Sequence, residues 1–255
     1  MIKVLSIAGS DPSGGAGIQA DLKTFQALGA FGMALPAALT AQNSRGVSGT
    51  AAVSPPMLRR QLEMLLPDIR PDAVKTGMLL TDRTVAVVAQ AVSRYRVTDL
   101  IVDPVLRSSS GRVLLRPEAL RSLKKHLLPL TLLVTPNIPE AEVLAGMPIR
   151  SAQDRDFAAG KILDLGPKYV LIKGGHLQGP AVDTLYGGKS VLEFSTQRAK
   201  GEFHGTGCVL SASITVFIAR GLPVEKAVEK GKQFVERMLK KAARVGKGRT
   251  KYFQF

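Results

Sequence analysis

Short apolar runs alternate with longer segments of helical period along this chain. The strand-like runs are KVLSIAGS, PDAVKTG, DLIVDP, LTLLVTP and KYVLIKGG. The segments with helical spacing of apolar residues are AGIQADLKTFQALG, TDRTVAVVAQAVSRY, RPEALRSLKKHLL and SAQDRDFAAGKILDLG. Successive parallel strands need a crossover connection, and helices then cover both faces of the sheet. The alternation therefore predicts an α/β fold with a mostly parallel central sheet between two helical layers.

The continuity of the chain indicates one domain. Its 255 residues contain no linker, internal repeat or low-complexity block, and α/β folds of this length are commonly undivided. We therefore expect a single domain over residues 1–255. After the last parallel strand, the segments AVDTLYGG and KSVLEF predict a hairpin.

Composition excludes several classes of protein. A hydrophobic fraction of 45% and a charged fraction of 22% are typical of a folded globular protein. No apolar run is long enough for a transmembrane helix, and the run after Met1 is too short for a signal peptide. A single cysteine excludes an internal disulfide, which fits a reducing cytosol. We therefore expect a cytoplasmic protein without a membrane partner.

The net charge of +15 is concentrated near the C-terminus, in KGKQFVERMLKKAARVGKGRTKYFQF. It indicates either a nucleic-acid surface or a solvated basic face in a protein that handles anionic substrates. The second interpretation is favoured because zinc-type Cys/His spacing and aromatic-rich basic strands are both missing from the sequence. We expect no nucleic-acid partner.

Polar and small residues follow the predicted parallel strands at the points where the strands end. GSDPSGGAG follows the first strand, Lys75 and Met78 follow PDAV, and Asp103 follows DLIV. Asn137 follows LTLLV, and Lys173 ends KYVLIK. Ligands of open α/β sheets bind outside the carboxyl ends of the strands. The sequence therefore predicts a site at this edge of the sheet.

The glycine-rich segments match neither of the two common nucleotide fingerprints. GSDPSGGAGIQ and GTGCVL fit G-x-G-x-x-G in no frame, and the P-loop pattern ending at Ser190 has Asp183 where its first glycine belongs. In SDPSGGAGIQAD the glycines permit a close approach of backbone to ligand. Asp21, one turn into the next helix, either accepts hydrogen bonds from that ligand or interacts with the helix dipole.

Two further features, a residue pair and a lysine, have both a functional and a structural interpretation. Asn137 and Glu140 are spaced for a helix capping box, and the same amide and carboxylate suit magnesium with phosphates. The two interpretations are compatible. Lys173 either reaches a phosphate as a point charge or is a solvated strand-end lysine.

The stretch HGTGCVLSASITVF contains the only cysteine, Cys208. A glycine-rich turn leading into a helix N-terminus forms an anion-binding concavity from backbone N–H groups. A thiol there is a small buried side chain, a nucleophile or a neighbour of a bound anion. The helix dipole favours the thiolate form at such a position, so we expect Cys208 to be shifted toward thiolate.

The motifs above are joined by others in a fixed order between Val4 and Gly221. They are AGSDPSGGAGIQADLKTFQALGAFG, TAQNSRGV, KTGM, VDPV, TPNIPEAEVLAG, VLIKGGH and HGTGC. In this order the chain resembles the hydroxymethylpyrimidine and phosphomethylpyrimidine kinases of thiamine biosynthesis, within the ribokinase-like superfamily. The resemblance implies a ribokinase-like three-layer αβα sandwich that uses ATP and Mg²⁺ to phosphorylate a pyrimidine alcohol and then its monophosphate.

The resemblance also implies roles for individual residues. The pyrimidine pocket would be lined by Gly9, Asp21, Gln42, Met78 and Val105. ATP would be bound by Asn137, Glu140 and Lys173, with Glu140 and Asp103 at the metal. The anion hole would be formed by Gly205, Thr206 and Gly207, followed by Cys208 where related sugar kinases have a catalytic aspartate. Direct phosphoryl transfer needs no enzyme-bound intermediate, so the covalent-nucleophile role of Cys208 is disfavoured.

Some features leave alternatives open. Many members of the resembled family have a lysine where this chain has Ser109, and the nearby basic residue is Arg107. The side chain that supports the second phosphorylation is therefore not identified. Pyridoxal kinases share the HGTGC element and are the alternative enzyme, and a pyrimidine-sensing binding protein is the alternative without activity. The superfamily implies a homodimer.

Overall fold

The computed structural model describes residues 1–108, 111–174, 181–188, 191–196 and 199–255. Within these residues nine strands form one sheet in the order β3-β2-β1-β4-β5-β6-β7-β8-β9. The strands are β1 Lys3–Ser10, β2 Phe31–Asn43, β3 Gly46–Ala52, β4 Ala73–Thr76, β5 Leu100–Val102, β6 Leu133–Val134, β7 Tyr169–Ile172, β8 Ala181–Gly187 and β9 Leu192–Thr196. The strands from β2 to β7 in this order are parallel, while β3, β8 and β9 pair antiparallel at the two edges. The mostly parallel central sheet is therefore confirmed.

Helices cover both faces of this sheet. They are α1 Gly17–Ala27, α2 Pro55–Asp68, α3 Asp82–Arg94, α4 Pro117–Ser122, α5 Ile138–Ala145, α6 Ala152–Leu163, α7 Thr206–Ala219 and α8 Val224–Lys241. Alternate strand residues enter opposite cores, as Leu100 and Val102 do on one face and Ile101 on the other. The first core contains α2, α3, α5 and α6, and the second contains α1, α7 and α8. The three-layer αβα architecture is confirmed.

The five predicted parallel strands and the hairpin of β8 and β9 are present. The segment 116–128, predicted as one helix, is instead α4 followed by a π-helical turn at Leu123–Leu127 and a 3₁₀ turn at Leu128–Leu130. Pro129 has no N–H to donate, which prevents the α-helix from continuing through it. The last two residues of the near-match to the P-loop pattern, 189–190, and the position Ser109 lie outside the described residues. The rest of the near-match lies in β8 and the turn after it.

The hairpin of β2 and β3 was not among the predicted elements. Its strands, FGMALPAALTAQN and GVSGTAA, are rich in small residues, and Pro36 interrupts the first. The register of β1 against β2 shifts at Ala8 and Gly9, next to the pairing of Ala8 with Pro36. A proline is tolerated in a strand at such an irregularity. Pairing with β1, rather than local propensity, therefore makes this segment a strand.

No helix in the described part of the chain combines the length and hydropathy required to cross a bilayer. The carboxyl ends of β1, β4, β5, β6 and β7 meet the N-terminus of α7 at one edge of the sheet. The residues predicted to carry the chemistry are gathered there.

Candidate active site

The N-terminus of α7 is held directly against the loop after β1. Gly205 is the N-cap of the helix and has a φ of 79°, in the left-handed region. A Cβ on Gly205 would lie 1.9 Å from the carbonyl oxygen of Gly15, so any other residue would collide with that backbone. The first backbone N–H groups of a helix have no partner within the helix. No side chain of the residues that the structure describes caps the N-terminus of α7, which leaves these groups for an anion, as the predicted turn requires.

A cation and a carboxylate lie beside this turn. The ammonium of Lys173 is 3.2 Å from Oδ1 of Asp103. A Cβ on Gly207 would lie 3.2 Å from Nζ of Lys173 and 3.7 Å from Oδ2 of Asp103, which places both groups next to the turn. Burial alone lowers the pKa of Lys173, but attraction to Asp103 and Glu140 outweighs burial and raises the pKa. The side chain therefore remains a cation at neutral pH.

The start of α5 contains the predicted capping box. Glu140 N–H donates to Oδ1 of Asn137 at 2.9 Å, and Asn137 N–H donates to Oε2 of Glu140 at 2.9 Å. Asn137 forms a β-bridge with Lys173, so this cap adjoins the cation. Burial raises the pKa of Glu140 to about 7, opposed by Lys173 and reinforced by the charge of Asp103.

The donor set fits magnesium when phosphates complete it. Asp103 and Glu140 are both buried, and both interact electrostatically with Lys173. Among the described residues, no three His, Cys, Asp or Glu side chains come together as a metal cluster. Magnesium commonly takes only one or two protein carboxylates and obtains its other ligands from substrate phosphates and water. Two carboxylates next to an anion-binding turn are consistent with that pattern.

Three of the residues predicted for the pyrimidine pocket lie together on an apolar surface. A Cβ on Gly9 would lie 2.9 Å from Sδ of Met78, so the end of β1 contacts that side chain. Met78 forms a small cluster with Ala38, Leu80 and Leu114, and Val105 packs against it. An apolar cluster of this kind suits the face of an aromatic acceptor.

Asp21 lies deeper than expected and has a different partner. Lys75 Nζ is 2.7 Å from both carboxylate oxygens of Asp21, and Ser6 Oγ donates to Oδ2 at 2.6 Å. Both charged side chains are fully buried. Burial alone lowers the pKa of Lys75, but the adjacent Asp21 carboxylate raises it, so the lysine stays charged. The contact between Asp21 and a ligand stays a prediction.

The sequence contains a signal for this pair. Lys75 stands in AVKT, a strand whose four residues are all buried. Charged residues are almost never fully buried unless they are paired. A lysine in such a strand therefore requires an acid nearby.

Gln42 contacts a histidine in this structure. Its Nε2 is 2.9 Å from Nε2 of His204, and the same histidine atom is 2.8 Å from Oδ2 of Asp11. Burial alone raises the pKa of Asp11, but hydrogen bonds from His204 and Ser13 outweigh burial and lower the pKa. This network links the loop after β1 and strand β2 to the residue before Gly205. Asp11 and His204 were not identified as part of the site from the sequence.

The expectation that Cys208 is shifted toward thiolate is wrong. Burial raises the pKa of Cys208 to about 11, opposed by Lys75 and reinforced by the buried carboxylates of Asp103 and Asp21. The side chain also packs against the core of the α7 face. Desolvation disfavours the charged form of an acid. Desolvation and two negative charges therefore outweigh the helix dipole, and the thiol is protonated at neutral pH.

A cavity of about 940 Å³ opens beside the predicted pyrimidine pocket. It is lined by Pro12, Ala41, Gln42, Asn43, Arg45, Gly46, Val47, Ser48, Gly111 and Arg112. The charged side chains in this described lining are both arginines. A mouth with this lining attracts anions.

Solved structures show how this architecture is used by similar proteins. A crystal structure of phosphomethylpyrimidine kinase from Clostridium difficile 630 has 43% sequence identity and a TM-score of 0.84, and the match covers 93% of this chain and 99% of that chain. Pyridoxal kinase from Staphylococcus aureus in complex with ADP has 34% identity and a TM-score of 0.91, covering 100% and 93% of the two chains. The fold is therefore that of ribokinase-like vitamin kinases.

Sequence relatives point to one of these two kinds of kinase. The hydroxymethylpyrimidine/phosphomethylpyrimidine kinase of Bacillus subtilis is 41% identical over 258 residues, covering 99% of this chain and 95% of the relative. The thiamine biosynthesis bifunctional protein ThiED of Geobacter sulfurreducens is 42% identical over 96% of this chain, which spans 50% of that protein. The family model described as phosphomethylpyrimidine kinase matches residues 11–252. This chain belongs to the phosphomethylpyrimidine kinase family.

Proposed function

We propose that this protein is an ATP-dependent kinase of thiamine biosynthesis that phosphorylates hydroxymethylpyrimidine and then its monophosphate. The observation that carries the proposal is the convergence, at one sheet edge, of the α7 N-terminus, Lys173 and the buried carboxylate of Asp103. That arrangement suits a transferring phosphoryl group in a chain whose family consists of such kinases. Phosphoryl transfer depends on positioning and on neutralising charge rather than on covalent chemistry by the protein.

On the phosphate side, the backbone N–H groups of Gly205, Thr206 and Gly207 would donate to the transferring group. Lys173 would neutralise charge on the nucleotide phosphates, since its ammonium adjoins Gly207. Fixed donors of this kind need no reorganisation during the reaction. Asn137 would orient Glu140 through their two reciprocal hydrogen bonds.

Asp103 and Glu140 are the residues that would hold Mg²⁺. When bound, the ion would supply positive charge to the phosphate oxygens. Lys173, which attracts both carboxylates, would hold them in place and favour the charged form of Glu140 against burial. ATP is the expected co-substrate, and structures of the similar Staphylococcus aureus enzyme are complexes with ADP and with AMP-PCP.

On the acceptor side, Gly9, Met78 and Val105 would pack against the flat face of the pyrimidine. Gln42 would hydrogen-bond its polar edge. The buried pair of Asp21 and Lys75 would form the floor of the pocket, because both groups lie close enough to Cys208 to affect its pKa. Cys208 would stand beside the acceptor hydroxyl as a neutral thiol.

A phosphorylation assay with separate acceptors tests this function. Purified protein, ATP and Mg²⁺ would be incubated with hydroxymethylpyrimidine, with its monophosphate and with pyridoxine, and the products resolved by chromatography. We expect both pyrimidines to be phosphorylated with a higher kcat/KM than pyridoxine. A higher kcat/KM for pyridoxine would replace the first proposal by pyridoxal or pyridoxine kinase activity.

That second enzymatic candidate is supported by a specific observation. The TM-score is 0.91 with the Staphylococcus aureus pyridoxal kinase and 0.84 with the Clostridium difficile phosphomethylpyrimidine kinase. The alternative without activity, a pyrimidine sensor, has no use for an anion-binding turn beside a lysine. If the protein turns over ATP with none of the three acceptors but binds the pyrimidine, the sensor would be favoured.

We also propose that residues 1–255 act as one kinase domain, that the protein is a cytoplasmic homodimer and that it has no nucleic-acid partner. Sedimentation velocity measures the oligomeric state. A monomer across the micromolar range would contradict the dimer. Retardation of DNA at moderate salt would contradict the absence of a nucleic-acid partner.

A further inference from the structure

The chain after α8 folds back over the edge of the sheet that carries the candidate site. We call residues 243–253 the C-terminal strap. Ala243 and Tyr252 exchange two backbone hydrogen bonds, of 3.0 Å and 2.8 Å, so the strap is closed at its base. Lys251 then pairs with the segment before α7: its N–H donates to the carbonyl of Glu202 at 2.8 Å, and its carbonyl accepts from the N–H of His204 at 2.9 Å.

Tyr252 is buried between two loops of the site. Its hydroxyl lies 3.2 Å from Oγ of Ser13, in the loop after β1. Its ring makes an edge contact with the ring of His204, with 5.2 Å between centroids. A Cβ on Gly15 would lie 2.5 Å from the tyrosine ring and 2.4 Å from the histidine ring, so the three groups are in direct contact.

The far end of the strap contacts the turn between β2 and β3. Gly248 N–H donates to Oγ of Ser44 at 3.0 Å, and Thr250 Oγ1 donates to the backbone carbonyl of Ser44 at 3.4 Å. A Cβ on Gly248 would lie 1.9 Å from the Ser44 carbonyl oxygen. Ser44 stands between Asn43 and Arg45, both of which line the cavity beside the pyrimidine pocket.

The strap therefore contacts three loops that are far apart in the sequence. They are the loop after β1, the β2–β3 turn and the segment that leads into Gly205. These loops adjoin two of the predicted acceptor contacts, Gly9 at the end of β1 and Gln42 near the end of β2, and the predicted anion hole at Gly205–Gly207. Phosphoryl transfer requires the acceptor and the phosphoryl group to be held in a fixed relative geometry.

We propose that Tyr252 is a positioning residue for the reaction, through which the C-terminal strap fixes the loop after β1 relative to the Gly205–Gly207 turn. This inference rests on the proposed function. Tyr252 acts through Ser13, Gly15 and His204. Displacement of either loop by about 1 Å would lower turnover by about tenfold to a hundredfold.

The test compares Tyr252→Ala, Tyr252→Phe and the control Tyr95→Ala, a partly buried tyrosine at the end of α3 on the other face. For Tyr252→Ala we expect a kcat/KM for hydroxymethylpyrimidine lowered by about tenfold or more, mainly through kcat. Tyr252→Phe keeps the ring contacts and loses only the hydroxyl hydrogen bond to Ser13, while the backbone hydrogen bonds of the strap remain. Its kcat/KM is expected to stay within about threefold of the wild-type value. Tyr95→Ala should leave kcat unchanged.

Hydrogen–deuterium exchange distinguishes positioning from a general loss of stability. In Tyr252→Ala, we expect faster exchange in peptides covering residues 10–17 and 202–208, and unchanged exchange in α3. Faster exchange throughout the protein, or a kcat loss that equals the loss of folded protein, would overturn the proposal. If Tyr252→Ala does not fold, Gly248→Ala replaces it. The added methyl group would collide with the Ser44 carbonyl and push the strap away from Ser44. This variant should accelerate exchange in residues 40–48.

The exchange experiment is independent of the proposed activity. A wild-type protein that phosphorylates no pyrimidine would refute the proposed function. Even then, faster exchange confined to the two loops in Tyr252→Ala would show that the strap fixes them. Active wild-type protein with unchanged kcat in Tyr252→Ala would refute the strap proposal alone.

Discussion

Lys173 is the cation that balances the two buried carboxylates of the site. It forms an ion pair with Asp103 and attracts Glu140, while its side chain is 15% exposed and that of Asp103 3%. Because the lysine adjoins Gly207, it is also the proposed contact to the nucleotide phosphates. Its structural and chemical roles are separable by substitution.

Lys173→Met is expected to lower kcat by about a hundredfold or more, as removal of a fixed charge-stabilising donor does. It should also lower the free energy of unfolding by about 3 kcal/mol, because it leaves a buried carboxylate unpaired. Lys173→Arg keeps the charge and should restore most of the stability but not the turnover. Urea unfolding and steady-state kinetics measure the two effects, and normal turnover in Lys173→Met would contradict the assignment.

At Cys208, burial and the helix dipole act on the pKa of the thiol in opposite directions. It is the only cysteine of the chain, so alkylation reports on one site. With its pKa raised to about 11, the thiolate fraction is small at neutral pH. We expect the alkylation rate by iodoacetamide to be slow at pH 7 and to rise about tenfold per pH unit toward that pKa. A plateau below pH 8 would show a stabilised thiolate instead.

The activity of cysteine variants separates a neutral thiol from a base. We expect Cys208→Ala to lower turnover far more than it lowers thermal stability, and Cys208→Ser to retain more turnover than the alanine variant. For wild type we expect no rise in kcat that follows the alkylation profile. A kcat that increases with pH in parallel with alkylation, and does so only in wild type, would identify Cys208 as the general base.

At the scale of elements, the pair of Asp21 and Lys75 joins helix α1 to strand β4 inside the protein. Both side chains are fully excluded from solvent, and Ser6 of β1 donates a third hydrogen bond to Asp21. A buried ion pair is not strongly stabilising by itself, but removing one partner leaves an uncompensated buried charge. The stability of the α1–β4 contact therefore depends on the two residues together.

Lys75→Met is expected to lower the free energy of unfolding by about 3–5 kcal/mol. The double variant Asp21→Leu, Lys75→Met should recover most of this loss, because no charge then remains buried. Denaturant titrations of the two single variants and the double variant form a thermodynamic cycle. Additive losses in the double variant would contradict a direct coupling.

The elements differ in how well the sequence predicts them. Strands β1, β4, β5, β6 and β7 were predicted because each lies in a short, mostly apolar run of the sequence, and most of their side chains are buried. Strand β2 was missed because Pro36 and its small residues do not favour a strand locally. Pairing on both sides, with β1 and with β3, holds that segment extended. Tertiary pairing overrides weak local propensity in strands.

At the scale of the whole molecule, part of the net charge of +15 lies around one cavity. Arg45 and Arg112 line this cavity together with Gln42, and Lys247 and Arg249 flank Gly248, which contacts Ser44. A mouth with one sign of charge attracts oppositely charged ligands and raises their rate of association. The monophosphate acceptor carries negative charge, whereas the alcohol acceptor does not.

We therefore expect kcat/KM for the monophosphate, at saturating ATP, to fall with increasing salt more steeply than kcat/KM for the alcohol. The double variant Arg45→Gln, Arg112→Gln should lower the low-salt value for the monophosphate by roughly three- to tenfold. The alcohol is the internal control, because a neutral acceptor is not steered. Equal losses for both acceptors would show that the arginines act on the fold or on ATP instead.

The sequence alone determined the alternation of strands and helices, and hence the layers of the fold. It also determined that Asp103, Asn137 and Lys173 follow the ends of strands, whereas Lys75 lies inside β4. The capping box of Asn137 and Glu140 was predictable from local pattern, since its two members are three residues apart.

Only the tertiary structure decided what those residues contact. Asp21 and Lys75 are 54 positions apart, and Tyr252 and Ser13 are 239 apart. The protonation of Cys208 was likewise decided by burial and by carboxylates from two other elements. Burial and electrostatic interactions depend on distances in space, which local pattern does not encode. The sequence therefore determined the frame of the site, and packing determined its charges and its partners.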